Sequence, residues 1–186
     1  MPETTSLHGV LVDVYGVGVL ILGPSGIGKS ECALDLVTRG HRLVADDMVH
    51  LRGMSNCTIL GSGFDLVKHH MEIRGLGIID IQSLFGENAI RQRKKVELVV
   101  ELVEWRVDYD RLGLEEQRYS ICGIELPVVR IPVNPGRNLA TIVEVAVKNQ
   151  LLKRRGYDAA VDLDRKLTEK IASKTKRGKR RGDKGK

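Results

Sequence analysis

Val17-Gly18-Val19-Leu20-Ile21-Leu22 runs directly into Gly23-Pro24-Ser25-Gly26-Ile27-Gly28-Lys29-Ser30, and the rest of the chain is organised around that junction. The first six residues are almost unbroken aliphatic and β-branched, the composition of a strand covered on both faces. The next eight fit G-x-x-x-x-G-K-[ST]. Glycines let such a loop wrap a polyphosphate with backbone N–H groups pointing inward. Lys29 is placed to reach the β- and γ-phosphates and Ser30 to coordinate magnesium. The pattern therefore predicts a nucleoside triphosphate site lined by Gly23, Pro24, Ser25, Gly26, Ile27, Gly28, Lys29 and Ser30. Gly23, Gly26 and Gly28 do not have the spacing of a dinucleotide fingerprint.

Helical spacing follows over Glu31–Thr38, with Cys32, Ala33, Leu36 and Val37 toward a core and Arg39-Gly40 closing the helix. Its N-terminal end would present a positive dipole to the phosphates. Arg42–Ala45 reads as another buried strand, ending at Asp46-Asp47. Upstream, Leu7–Asp13 alternates as a strand with Val10, Val12 and Val14 on one side, and Tyr15-Gly16 marks a turn. Downstream, Met48–Arg52 and Asn56–Leu60 read as short strands, Gly61–Lys68 as loop, Glu72–Gly77 as irregular and Ile79–Phe85 as a short helix. Gly86–Lys95 is a polar connection, Val96–Leu102 an alternating strand, and Arg118–Ile121 and Ile124–Ile131 strands around Cys122-Gly123. Helices are predicted over Asn138–Lys153 and Tyr157–Ile171. This order gives a βαβ unit inside a mixed α/β domain. The fold expected is a P-loop kinase-like mixed sheet with flanking helices, since the antiparallel-looking strands argue against a simple doubly wound sheet.

Composition narrows the partners. The chain has 186 residues, 42% hydrophobic and 29% charged, with a net charge of +6. Residues 174–186 hold eight Lys or Arg and one Asp, a charge of +7, so the remainder totals −1. The basic pI belongs to the tail, and nucleic acid is not an expected partner. The three cysteines, Cys32, Cys57 and Cys122, contain no C-x-x-C and suggest a reducing cytoplasm. No apolar stretch reaches the length of a membrane span and no signal peptide is evident. The expected divisions are an extension at residues 1–6, one catalytic domain over 7–173, and a basic disordered tail over 174–186.

Two adjacent acids at a strand end point in different directions by the period-2 rule, so of Asp46 and Asp47 one could meet a metal and the other an incoming nucleophile. A carboxylate near an acceptor hydroxyl could act as general base. His8 is bland on its own. Glu72 and Arg74 lie beside Gly75 and Gly77, where polar residues can form a site or merely a charged connector. Pro132-Val133-Asn134-Pro135-Gly136-Arg137 is a stiff turn that places Arg137 before a helix, where an anion could bind.

His8-Gly9, Gly23–Ser30, Leu43–Asp47, Met71–Asp80 (Met-Glu-Ile-Arg-Gly-Leu-Gly-Ile-Ile-Asp) and Ile131–Arg137 occur together and in order. In this the chain resembles the HPr kinase/phosphorylase family, from about Leu7 to Tyr157-Asp158. The resemblance implies a bacterial cytoplasmic enzyme that phosphorylates a serine of the phosphocarrier protein HPr, using ATP with Mg2+, or pyrophosphate as an alternative donor. It also implies dephosphorylation by phosphorolysis, a homohexamer, and a core similar to the nucleotide-binding part of phosphoenolpyruvate carboxykinase. Carried over, His8, Lys29, Asp47 and Arg111 are catalytic, with Asp47 as proton acceptor in the kinase direction and donor in the reverse. Ser30 and Glu72 bind the metal. Met71–Asp80 resembles the stretch needed for both directions, and Pro132, Val133, Asn134, Pro135, Gly136 and Arg137 the stretch tied to dephosphorylation.

Two departures stand out. Many family members carry a separate N-terminal domain, so a truncated or naturally short form is expected, and the basic tail is not part of the family pattern. Two other classes of function remain open to the sequence: a P-loop kinase of a small metabolite, and a non-catalytic ATP-binding regulator.

Overall fold

The computed structural model describes residues 3–65, 68–105 and 117–182. In chain order the elements are β1 (Thr4–His8), β2 (Val10–Val14), β3 (Val17–Leu22), α1 (Lys29–Thr38), β4 (Arg42–Ala45), β5 (Met48–Met54) and β6 (Thr58–Ser62). There follow β7 (His70–Ile73), β8 (Gly77–Asp80), α2 (Ile81–Phe85), β9 (Arg93–Glu104), β10 (Arg118–Ile121), β11 (Ile124–Val133), α3 (Leu139–Arg154) and α4 (Ala159–Gly182).

The main sheet runs β1-β5-β6-β9-β3-β2-β4, with β11 added to β9 and β10 to β11. Strand β2 is antiparallel to both β3 and β4, so the β3–α1–β4 unit predicted from sequence crosses over one intervening strand. The long β9 serves two sheet neighbours on one side. Its start pairs antiparallel with β6 (Ile59↔Val96) and its end pairs parallel with β11 (Val128↔Val99), while β3 lies parallel along the other side. Strands β3, β9 and β11 therefore finish at the same edge, where the phosphate loop begins.

Strand β2 is buried on both faces, which corrects the one-sided alternation read from Val10, Val12 and Val14. Asp13 tolerates that burial because Arg91 and Lys94 both form ion pairs with it. The predicted single strand over Leu7–Asp13 is broken at Gly9. A Cβ there would lie 2.7 Å from the Ile21 carbonyl oxygen and 2.8 Å from a Leu22 methyl group. Only glycine lets the chain cross this close to the end of β3, and the crossing moves β1 away to pair with β5. The Tyr15-Gly16 turn has both residues at positive φ (51° and 82°) between paired Val14 and Val17, the geometry of a type I′ hairpin.

Three further expectations are corrected. Thr4–Ser6 belong to β1, paired with His50–Arg52, and are not a frayed extension. Glu72–Gly77 is not irregular: β7 and β8 form a separate two-stranded hairpin with Glu72 opposite Ile78. Residues 174–182 continue α4 as helix instead of forming a disordered tail.

Two compact units divide the chain, one of Met1–Asp108 with Glu116–Lys148 and one of Tyr109–Glu115 with Asn149–Lys186. The core of the first holds Leu11, Leu20, Val49, Leu51, Ile59, Val96 and Val99, all fully buried. Each such side chain is worth about 1.5–3 kcal/mol on leaving water. In the second, α4 exposes Val161, Leu163, Leu167 and Ile171, and Asp162 pairs with Arg165 and Lys166 along its surface.

Within the first unit a polar lock joins the end of α1 to α3. Glu144 accepts from Arg39 (3.1 Å), Tyr15 (3.1 Å) and the buried His41 (2.9 Å). Arg39 also donates to Asp35, Thr141 and Asn138. The His41 hydrogen bond, more than those from Tyr15 and Arg39, holds the Glu144 carboxyl below its ordinary value of 4.5. A depressed carboxylate stabilises the fold above its unfolded value and loses that contribution as pH falls through the folded one. Glu144→Gln is therefore expected to cost about 1–2 kcal/mol at pH 7. The difference from wild type should shrink below pH 4.5, as read from urea midpoints across that range. A pH-independent difference would remove the charge from the explanation.

Candidate active site

The loop Gly23–Gly28 leaves β3 and turns into α1 with Gly28 at φ 104° as its N-cap. No side chain caps the helix, so the first-turn N–H groups stay available to an anion. At the loop's start, Gly23 is tight against β9: a Cβ would lie 2.6 Å from the Leu102 carbonyl oxygen. Lys29 is buried and donates to the carbonyls of Gly23 (2.9 Å) and Pro24 (3.0 Å), closing the loop on itself. Burial lowers the Lys29 pKa from its ordinary value, while Asp46, Asp47 and Glu31 pull it upward.

The two aspartates separate as the period-2 argument allowed, and the structure decides which goes where. Asp46 turns to the loop: Ser30 Oγ donates to its two carboxylate oxygens at 2.9 and 3.2 Å. Burial pushes the Asp46 carboxyl above its usual range, while Ser30 and the backbone N–H groups of Asp47 and Glu72 hold it down. Asp47 sits at φ 68° and faces outward. Its Oδ1 lies 2.9 Å from His8 Nε2, with the side chains 75% and 48% exposed. The Gly9 N–H donates to the Asp47 carbonyl at 2.9 Å and His8 pairs opposite Met48, so β1 carries the imidazole to the acid.

Glu72 lies on β7 and its backbone N–H reaches Asp46, while the residue itself is exposed. The structure thus brings His8, Lys29, Ser30, Asp47 and the Glu72 backbone to one place. Arg111 lies outside the described residues. Pro132 and Val133 end β11 beside Val103 and Glu104 of β9, at the same sheet edge as the loop. Among the described residues, no hydrogen bond joins Pro132–Arg137 to Lys29, Ser30 or Asp47. Arg137 donates to the Pro132 carbonyl at 2.9 Å, and Asn138 accepts from the Thr141 N–H at the start of α3. The helix-entry position predicted for an anion at Arg137 is thus capped by Asn138.

Asp46 is the residue whose place the sequence left undecided. Its signal was present: it directly continues β4, while Asp47 takes the left-handed turn. The candidate metal set of Ser30 and Glu72 therefore lacked its most direct neighbour. A magnesium ion fits these groups, because the Ser30 hydroxyl and the Asp46 carboxylate are hard oxygen donors already in contact beside the phosphate loop.

A glycine-rich phosphate loop between β3 and α1, a carboxylate against its terminal serine, and a mixed sheet define a P-loop protein of the α/β class. The family model described as HPr Serine kinase C-terminal domain matches residues 1–167, and the chain belongs to that family. It is 56% identical over 170 residues to the HPr kinase/phosphorylase of Geobacter sulfurreducens, covering 90% of this chain and 53% of that protein. It is 57% identical over 173 residues to that of Geobacillus kaustophilus, covering 92% and 56%. The structure of the Hpr(Ser) kinase/phosphatase from Coxiella burnetii superposes with a TM-score of 0.76 at 36% identity, covering 86% of this chain and 98% of that one. The chain spans about half the length of the curated relatives it matches.

Proposed function

We propose that this chain is the catalytic part of a bifunctional protein-serine kinase/phosphorylase that transfers phosphate from ATP, or from pyrophosphate, to a serine of HPr and removes it by phosphorolysis. The observation that carries the reading is the opposite orientation of two adjacent acids: Asp46 against Ser30, and Asp47 against His8 in the open. An acid this exposed suits a hydroxyl presented by another folded protein. A small-metabolite kinase must instead surround its acceptor to keep water out.

In the forward direction, Asp47 takes the proton from the serine hydroxyl as its oxygen forms a bond to the γ-phosphorus and the bond to the β-phosphate oxygen breaks. His8, within hydrogen-bond distance of Asp47, orients the carboxylate and shares the charge change. In the reverse direction Asp47 returns the proton to the serine oxygen as inorganic phosphate attacks. Lys29 leaves the carbonyls of Gly23 and Pro24 to bind phosphate oxygens, and the loop N–H groups hold the rest. Ser30, Asp46 and Glu72 would hold Mg2+, which supplies neutralisation of the β- and γ-phosphate charge. Arg111 and the Pro132–Arg137 turn complete the proposed set, the latter for dephosphorylation. A homohexamer acting in the cytoplasm accompanies this reading, and light scattering of the purified protein checks the assembly. No described helix is long and apolar enough to cross a membrane.

The test is incubation with purified HPr, ATP and Mg2+, followed by phosphate. Mass spectrometry of HPr should show one phosphoryl group gained, then lost with release of pyrophosphate. Unchanged HPr beside phosphorylation of a free metabolite would replace the proposal.

Asp46 supplies a separate prediction. Burial raises its pKa, so its charge costs stability at neutral pH, and that cost fades as pH falls through the raised value. Asp46→Asn should leave the ligand-free protein as stable as wild type or more so at pH 7. Adding Mg·ATP at a hundred times the wild-type Kd stabilises wild type by about 2.7 kcal/mol. In the variant that gain should fall by about half or more, as read from melting curves with and without ligand. An undiminished gain would remove Asp46 from the metal set.

A further inference from the structure

Arg74 stands just beyond β7, two residues after Glu72, and its guanidinium lies over the phosphate loop. A Cβ built on Gly26 would lie 2.7 and 3.0 Å from its two terminal nitrogens and 3.2 Å from the carbon between them. Gly26 is at φ 78°, a conformation that glycine meets without strain. Among the described residues the guanidinium makes no hydrogen bond or ion pair, and Arg74 is exposed. The nearby acids are engaged elsewhere, Asp46 by Ser30 and two backbone N–H groups and Asp47 by His8.

An unpaired planar cation against the backbone of an anion-binding loop is a built element without its counterion. The Glu72 backbone helps hold the Asp46 carboxyl down, and Ser30 donates to Asp46, so β7 runs past the Ser30 side of the loop. From there Arg74 reaches across to Gly26, the fourth residue of the eight-residue loop. It thereby stands against the middle of the loop that would cradle a triphosphate. The guanidinium fork matches phosphate oxygens with two parallel N–H donors.

We propose that Arg74 grips the terminal phosphoryl group of the bound nucleotide, acting from within the same chain as the arginine that stabilises the transferring phosphate. This rests on the kinase reading above. As the serine oxygen bonds to the γ-phosphorus, its proton goes to Asp47 and the bond to the β-phosphate oxygen breaks, its electron pair leaving with ADP. Arg74 holds the equatorial oxygens throughout. In phosphorolysis the same donors hold the incoming phosphate.

The experiment compares wild type, Arg74→Gln and Arg74→Lys by calorimetry with ATP and with ADP at fixed Mg2+, and by transfer to HPr. Arg74→Gln should weaken ATP about tenfold and ADP by less than about threefold, with transfer slower by about a thousandfold. Arg74→Lys should recover part of the ATP affinity but little of the rate, because one ammonium cannot replace the fork. Melting midpoints should be unchanged in both. Equal loss of ATP and ADP affinity would show that Arg74 only shapes the loop. Unchanged affinities and rate would show that it only covers it. If wild type binds ATP but leaves HPr untouched, the kinase reading fails alone, and the ATP-to-ADP comparison still decides the role of Arg74.

Discussion

Asp47→Asn is expected to slow phosphoryl transfer to HPr by about a thousandfold while ATP affinity stays within about threefold of wild type. Asparagine isolates the effect because it is nearly isosteric and is among the few residues that adopt positive φ readily, so the turn at 68° survives. Its amide oxygen can still accept a hydrogen bond from His8, which keeps the imidazole in place. What disappears is the capacity to take a proton. In the proposed arrangement Gly23–Ser30 hold the nucleotide and Asp46 its metal, on the other side of the bifurcation, so binding has no reason to follow. Mass of HPr over time measures the rate, and calorimetry the affinity. A variant as fast as wild type would mean that the proton goes elsewhere. A variant that also loses ATP would mean that Asp47 belongs to the phosphate side.

Gly18→Ala is expected to destabilise the protein by about 3 kcal/mol, placing it among the most damaging single-methyl additions in the chain. Gly18 lies where the pairing of β3 with β9 shifts register, between Gly18↔Val96 and Val19↔Leu98. A Cβ there would stand 1.9 Å from the Lys95 carbonyl oxygen and 2.9 Å from its carbon. Those atoms are backbone in the facing strand and cannot swing aside, so the strands must part at the start of the strand that feeds the phosphate loop. The melting midpoint should fall by roughly 6–12 °C for a chain of this size. Gly16→Asn is the control: it has open space around it, at a positive φ that asparagine accepts. A Gly18→Ala midpoint within about two degrees of wild type would show that the register shift absorbs the methyl group.

The sequence announced the phosphate loop because its chemistry is local. The glycines, Lys29 and Ser30 are consecutive, and the apolar run before them and helical spacing after them fix what the loop joins. Most strands were legible for the same reason, and both two-residue hairpins, Tyr15-Gly16 and Cys122-Gly123, were marked by their glycines. The misreadings share a cause. Strand β2 looked half-exposed because Asp13 interrupts its apolar pattern, and only Arg91 and Lys94, distant in sequence, make that acid a core residue. The β7–β8 hairpin was hidden by Gly75 in its turn and Gly77 at the start of β8, because glycine weakens a strand signal. The helix over 174–182 was hidden by charge.

The chain's own order of residues marked out the loop proposed to hold a polyphosphate, since backbone donors, ammonium and hydroxyl all come from it. Tertiary structure decided how the remaining chemistry is divided. His8 meets Asp47 only because β1 pairs with β5, Asp46 meets Ser30 only because β4 ends beside the start of α1, and Arg74 lies over Gly26 only because the β7–β8 hairpin folds back to the loop. The physical reason is that a hydrogen bond acts over about 3 Å in space with no regard to sequence separation. Local pattern can therefore name the groups, but only the packed sheet can choose their partners.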